Sequence, residues 1–464
     1  MNNTLLKKFF NFGFLIIVIA VFIIRGFKVI NRLSPTYDEP VHLIQGYAYL
    51  KTGSMDIIYL DDHPVLAKIL SAIPLMFLKP QPVLYTNHIY WQNRQRYLFA
   101  NLMLYYNNYS AEKLLNFGRK MMIILSALFV IPFYIIISKN INKTSAMIAC
   151  LLYCFNTSIA AHSCLITQDM IASIFYFLCI YGFLKYIITK NVIEMLICSL
   201  FTGVMMVTKY SVVVLLFTYV VLLSYFWYKK IIKFNEILKF CIFIISGIVI
   251  VGMIVYNVNF LDLFYGLEKV IYLTQQGRST YFFGKFSTKG FLLYFPILFC
   301  LKTELPLLLV FIMSVVKFFH DVVKKKDTIE DTIVFVSIFI YIIISSFSKM
   351  QIGHRHLLPV YPLIIWQSCK LATFKKIRTI YYLIIIWNAF VSAKAYPWYI
   401  SYFNEIIGGS ENGWKHYTDS NIDWGQGLKE LSIWIKKILM LRKVFIFHIL
   451  ALAIQNIMVL FIDR

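Results

Sequence analysis

The sequence predicts an all-α polytopic membrane protein with about eleven transmembrane helices, or twelve if its apolar tail also spans. Three observations carry that prediction. Of 464 residues, 60% are hydrophobic and only 14% charged, against about 45–50% apolar and about 25% charged in an ordinary soluble domain. Mean hydropathy is +0.71. Apolar runs close to the roughly 17–25 residues that cross a bilayer recur at 9–30, 120–138, 145–163, 169–188, 192–208, 211–228, 240–257, 304–320, 333–348, 357–373 and 379–395. The pattern excludes a soluble enzyme, a disordered chain and a fibrous repeat.

The first run follows Lys7 and Lys8 and is succeeded by Arg25, Lys28 and Arg32, with no small-x-small cleavage site. It reads as a retained signal anchor with its N-terminus inside. The connections Lys139–Lys143, Lys185–Lys190, Lys229–Lys239, Lys317–Lys326 and Lys370–Arg378 then fall inside, each with two or more Lys or Arg, as the positive-inside rule requires. Short outer connections lie near 163–168, 209–210 and 348–356. The predicted division is a membrane module over 1–395 with outer loops 31–119 and 258–303, an outer polar segment over 396–437, and an apolar tail over 438–464. The tail reads either as a twelfth span or as an abnormal terminus. Much of the net charge of +23 is thus Lys on inner loops. It is spread between apolar runs and is no nucleic-acid signature; the outer cations suit an anionic lipid or phosphate. The eight cysteines lie in or beside apolar runs without CxxC pairing, so they read as small buried hydrophobes, with neither disulfides nor a zinc site.

The chemistry-bearing residues concentrate outside. Asp38 and Glu39 sit between Pro35 and Pro40 just past the first span. Adjacent carboxylates raise one another's pKa, which suits a base or a cation site; a solvated loop pair is the alternative. Asp61, Asp62 and His63 precede Lys68 and an apolar run, 69–78, too short to span, which reads as an interfacial helix on the outer surface. The His and Asp there suit phosphate or metal, or are simply polar loop. Asp169 opens a span, as a helix cap or as an ionisable group at membrane depth with a functional role. Lys209 interrupts an apolar stretch at an outer turn, to meet a lipid phosphate or to snorkel. Arg278 and Arg355, the latter beside His356, are either bidentate phosphate ligands or interface anchors. Asp423 and Trp424 lie in a polar, glycine-bearing stretch of carboxylate, amide and indole groups that suits carbohydrate.

The order of these segments resembles the GT-C class of membrane glycosyltransferases, of the protein O-mannosyltransferase and lipid A aminoarabinose transferase type. The resemblance rests on Tyr37-Asp38-Glu39-Pro40-Val41-His42 with Gly46, Tyr47, Tyr49 and Leu50, then His63-Pro64 with Leu66 and Lys68. It continues through Thr167-Gln168-Asp169, Leu301-Lys302-Thr303 with Leu305-Pro306, Ile352-Gly353-His354-Arg355-His356-Leu357-Leu358-Pro359, and Asp419-Ser420-Asn421-Ile422-Asp423-Trp424-Gly425-Gln426, collinear over about 30–437. It implies a GT-C-type bundle with juxtamembrane helices and loops on its outer face. It implies an inverting transfer of a sugar from a polyprenyl-phosphate carrier to an acceptor hydroxyl at the outer face of the cell membrane. The acceptor is a protein or an envelope glycan, and membrane lipid and no nucleic acid take part. Asp38 matches the general base, Glu39 the second acidic position and Asp169 a further active-site carboxylate. His63, Lys209, Arg278 and Arg355 are candidates for the donor phosphate, with Asp62, Lys68, His356, Asp423 and Trp424 in support. No cofactor is certain, a divalent metal being the open option. Val65 stands where the family usually has a second proline, and His63 where the aminoarabinose branch has Lys, which makes its charge near neutrality depend on its surroundings. A transporter or flippase of a lipid-linked saccharide, or an inactive truncated relative, are the competing expectations.

Overall fold

The computed structural model describes residues 3–54, 63–81, 87–256 and 261–441; the expected tail span over 438–464 and Asp62 fall largely or wholly outside them. Over their described residues the eleven apolar runs are mainly helical. Among the described residues six helices are long and apolar enough to cross a membrane by themselves: Asn11–Ile30, Ala111–Asn140, Asp169–Thr189, Phe234–Tyr256, Leu305–Val323 and Ile329–Phe347. A seventh is possible as a pair, Lys143–Phe155 with Thr157–Ser163, bent by 60°. The remaining expected spans are shorter or more polar. Val192–Met206 has 15 residues and Val212–Tyr228 has 17, and at about 1.5 Å per residue the first reaches only about 22 Å of a roughly 30 Å hydrocarbon core. The run over 357–373 is a 3-10 turn, His354–Val360, followed by the ten-residue helix Tyr361–Lys370. Lys375–Ala395 carries Asn388, Ser392 and Lys394 within its helix. Among the described residues the β structure is one antiparallel hairpin, Thr280–Phe282 with Lys285–Ser287.

The first long loop is more ordered than its polarity suggests. Glu39–Thr52 is a helix, capped at Asp38 with Pro40 in its first turn and closed by Gly53 at φ +67°, the positions where proline and glycine fit helix ends. Leu66–Leu78 is helical as expected, yet it does not lie open on a surface. Ala67, Lys68, Ser71, Ala72 and Leu75 are buried, packed against Glu39–Thr52 and Ala111–Leu128. A Cβ on Gly46 would come to 2.0 Å from the Lys68 carbonyl, so the two short helices touch only because that position is glycine. The bend at Asn156 is built in too. Asn156 caps the second half of the broken helix through Ile159 N at 2.8 Å, while the buried Glu304 accepts from Asn156 Nδ2 at 2.9 Å and from the Thr157 amide.

The cysteines are all free. Six are buried as expected, whereas Cys241 and Cys300 are exposed on helix surfaces.

Candidate active site

The segment that opens at Ser34 is held by the segment that follows Asp423. Ser34 N donates to Gln426 O and Tyr37 N to Trp424 O, each at 3.0 Å. Gly425 sits at φ +100°, and a Cβ there would stand 3.1 Å from the Pro35 carbonyl, so glycine is required both by conformation and by close approach. These contacts set Asp38 beside Trp424. Arg355 joins them: its guanidinium lies 3.9 Å over the Trp424 ring and its Nη1 is 3.6 Å from Asp38 Oδ2, with Asp38 keeping 22% of its side-chain exposure and Arg355 only 8%. Asp38 is therefore a part-exposed carboxylate, and Arg355 a largely buried cation held near both it and the Trp424 ring.

Arg355 is placed by its neighbours. A Cβ on Gly353 would meet Ser420 Oγ at 2.1 Å, Ser420 Oγ donates to Ile352 O at 2.5 Å, and His354 N donates to Asn421 Oδ1 at 2.9 Å. The Asn421 amide in turn donates to Tyr294 Oη at 2.9 Å. Lys302, buried, donates to Ile400 O at 2.6 Å and Asn421 O at 2.5 Å. Thus the collinear motifs around 301–306, 353–359 and 419–426 meet as one bracket, and most of their polar residues hold backbone.

Asp169 begins the helix Asp169–Thr189 and accepts from Lys209 Nζ at 2.6 Å on Oδ1; both residues are buried. Among the described residues its Oδ2 has no hydrogen-bond partner. Arg355 and His162 are the next groups within range of its charge. His356 also lies in this field, where burial first and then Lys209 and Arg355 push its imidazole well below the usual histidine range, so it is neutral near pH 7.

Glu39, grouped with Asp38 in the sequence, does not open on this site. It is fully buried and accepts from Arg119 Nη2 at 2.5 Å and Nε at 2.8 Å, from Thr36 N at 2.9 Å and Oγ1 at 3.1 Å, and from Ile166 N at 3.0 Å. Arg119 also donates to Leu33 O at 3.2 Å and Ser34 O at 2.7 Å. Burial by itself would raise the Glu39 pKa, but Arg119 and the amides outweigh it and hold the carboxyl below its usual range. The pair ties the Asp38 turn to the helix Ala111–Leu128 and to the start of the Asp169 segment.

The half-buried His63 and the buried Lys68 form a further cluster. The His63 ring packs edge-on to His42 at 5.7 Å, Lys68 Nζ donates to Gln45 Oε1 at 2.9 Å and His63 O at 3.3 Å, and His42 Nδ1 bonds Ile166 O at 2.9 Å. The remaining expected residues are placed differently. Arg278 is exposed beside the hairpin, its amide donating to Lys349 O at 3.3 Å, and it makes no ion pair among the described residues. The reason is local: Gly277 at φ +75° ends the preceding helix and turns the chain toward Lys349. Asp423 is exposed and accepts from Gly425 N at 2.8 Å, so it shapes the turn that carries Trp424. Among the described residues there is no group of three or more His, Cys, Asp or Glu that could hold a metal ion.

Sequence reasoning missed Arg119, His162 and Tyr97. Tyr97 packs against Tyr37 with the rings tilted by 43° and their centroids 5.3 Å apart; its hydroxyl is pushed up to about 12, by burial first and also by the nearby Asp38 charge. Both tyrosines are partly exposed, 51% at Tyr37 and 38% at Tyr97, giving Asp38 an aromatic wall. The usable signal for Arg119 was scarcity, since the chain has ten arginines.

Residues 115–256 match the model of the dolichyl-phosphate-mannose-protein mannosyltransferase family. Among solved structures the fold is similar to ArnT from Cupriavidus metallidurans bound to undecaprenyl phosphate, with a TM-score of 0.51 and 12% identity over 82% of this chain and 70% of that one. The chain shares the fold of that structure. The chain is also similar to apo ArnT from the same organism, with a TM-score of 0.50 and 14% identity over 80% of this chain and 62% of that one. It is similar too to the apo oligosaccharyltransferase of Archaeoglobus fulgidus, with a TM-score of 0.52 and 10% identity over 90% of this chain and 57% of that one. It thus spans less than two thirds of the latter two. No curated protein matches the sequence.

Proposed function

We propose that the protein is an inverting glycosyltransferase that moves a sugar from a polyprenyl-phosphate carrier to an acceptor hydroxyl at the outer face of a cell membrane. The observation that carries this reading is Asp38: a part-exposed carboxylate held 3.6 Å from a buried arginine, with a buried carboxylate–lysine pair in that arginine's field. The undecaprenyl phosphate bound to the ArnT neighbour and the mannosyltransferase family match support a lipid-phosphate donor. Lys on the connections opposite the site supports its outer placement.

The reaction balances with these groups. The acceptor oxygen attacks the anomeric carbon while its proton passes to Asp38. The bond between the anomeric carbon and the carrier phosphate oxygen breaks, and the polyprenyl phosphate leaves with the electron pair. Arg355, which cannot deprotonate, and Lys209 offset the charge that grows on that phosphate; preorganised cations in a site shielded from water are worth most there. Glu39 positions Asp38 through Arg119 instead of exchanging protons, because all its acceptor sites are engaged. The Tyr37–Tyr97 wall faces the incoming acceptor, a protein or an envelope glycan, and the prenyl tail stays between helices.

The test is transfer of radiolabelled sugar from synthetic polyprenyl-phosphate mannose, glucose and galactose to envelope extract, by purified protein in proteoliposomes. Labelled acceptor formed with the wild type and not with Arg355→Met supports the reading. Movement of donor across the vesicle with no glycosidic product would overturn it in favour of a flippase.

A further inference from the structure

The helix Leu428–Leu441 lies outside the candidate active site, yet its first turn is fixed at the membrane boundary. Arg32 Nε is 2.6 Å from Glu430 Oε1, and Lys429 Nζ donates to Asn31 O at 2.8 Å and to Glu112 Oε1 at 2.7 Å. Asn31 and Arg32 directly follow the helix Asn11–Ile30, whose 20 residues at about 1.5 Å each match a hydrocarbon core roughly 30 Å thick. They therefore stand at headgroup level. Glu112 belongs to the first turn of a second helix long and apolar enough to span, Ala111–Asn140. The ends of two spans thus hold the start of this helix at the bilayer surface.

The side chains suit that place. On a helical wheel Leu428, Leu431, Trp434, Ile435 and Ile438 share an arc of about 120°. Leu428, Leu431 and Trp434 keep 58%, 47% and 60% of their exposure, and the two isoleucines are half-buried. Lys429 and Glu430, which bind the span ends, lie on the other side with the exposed Lys436 and Lys437, so the apolar arc turns away from the protein. The apolar phase beside that arc is the bilayer in which the two spans sit. An amphipathic helix of this kind lies in the interface plane, where tryptophan favours the headgroup level and lysines meet anionic lipid phosphates. The helix is also tied to the chemistry: Lys429 N donates to Ser34 Oγ at 2.5 Å, and Ser34 N and Tyr37 N bond Gln426 O and Trp424 O, the contacts that set Asp38 beside Trp424.

We propose that Leu428–Leu441 is an interfacial anchor for anionic phospholipid, its apolar arc in the leaflet and Lys436 and Lys437 on lipid phosphates, and that its seating steadies the Asp38–Trp424 bracket. The anchor is independent of the transferase reading; only its effect on transfer rests on that reading.

The experiment places full-length protein in nanodiscs of phosphatidylcholine, with and without phosphatidylglycerol, and follows hydrogen–deuterium exchange over 428–438. Exchange in the wild type should be at least about fivefold slower with phosphatidylglycerol, the worth of one lysine at an anionic surface. Lys436→Gln/Lys437→Gln should remove that difference while exchange over Ala111–Leu128 stays as in the wild type. Fluorescence quenching by dibrominated phosphatidylglycerol, taken as wild type minus Trp434→Phe, should show Trp434 in contact with lipid. Equal wild-type exchange in both lipids, a lysine variant that keeps the difference, or an unquenched Trp434, covered instead by the chain's own residues or by a second copy, overturns the anchor. Transfer should rise with phosphatidylglycerol in the wild type and not in the lysine variant, with equal rates in phosphatidylcholine alone. Transfer that ignores lipid while the anchor is seated overturns the coupling to the bracket. Transfer by neither protein in either lipid overturns the transferase reading and leaves the anchor standing.

Discussion

Replacing Glu39 by Gln separates support from catalysis. The substitution keeps the side-chain shape and removes the charge that faces Arg119, which is 1% exposed. Five donors converge on the carboxylate: two from Arg119, two from Thr36 and one from Ile166. A glutamine presents one acceptor oxygen and an NH2 group in place of the second, so its amide must face donors that cannot accept. Breaking one side of a buried ion pair costs about 3–5 kcal/mol because the other charge is left unpaired. Against a typical total of about 5–15 kcal/mol, Glu39→Gln should sharply reduce the yield of folded protein and lower its thermal midpoint in detergent. The double variant Glu39→Gln/Arg119→Met removes the stranded charge and should recover most of that loss, since exchanging a whole buried pair for apolar groups is often close to neutral. The assay is thermal unfolding of detergent-purified protein, paired with transfer per folded molecule. A Glu39→Gln protein as stable as the wild type yet inactive would refute the supporting role and return Glu39 to the reaction itself.

Two further outcomes follow from the same geometry. Because Glu39 is held below its usual 4.5, its contribution to stability is full above that value and is lost as pH falls through the lower folded-state pKa; the thermal midpoint should therefore fall on acidification below about 4.5, and less steeply in the Glu39→Gln/Arg119→Met protein. Trp424→Ala removes the ring 3.9 Å beneath the Arg355 guanidinium; with about 2 kcal/mol for a desolvated cation–π contact, transfer should drop about 30-fold, whereas Trp424→Phe should lose less.

Much of this was legible because the motifs are collinear and each contributes a backbone clamp. The stretch from Asp419 to Gln426 had composition as its only local signal, yet it supplies Trp424 to stack on Arg355 and carbonyls for the amides of Ser34 and Tyr37. Other parts depend on distant partners. Glu39 and Asp38 look alike side by side, and only Arg119, 80 positions away, makes one a support and leaves the other open. Likewise the helix over 66–78 was expected from its apolar run, but its burial depends on Gly46 allowing backbone contact with Lys68. Arg278 reads as a phosphate ligand by type, and the turn at Gly277 carries it to the surface beside Lys349.

The central claim is that Asp38 accepts the acceptor's proton. The direct measurement is the single-turnover rate of sugar transfer by Asp38→Asn, with polyprenyl-phosphate donor binding measured on the same preparation. Donor affinity should stay within about threefold of the wild type, since Asn keeps the shape and Arg355 remains stacked, while the transfer rate should fall by about 10²–10⁴, the usual worth of a general base. Transfer at the wild-type rate with intact donor binding would contradict the account.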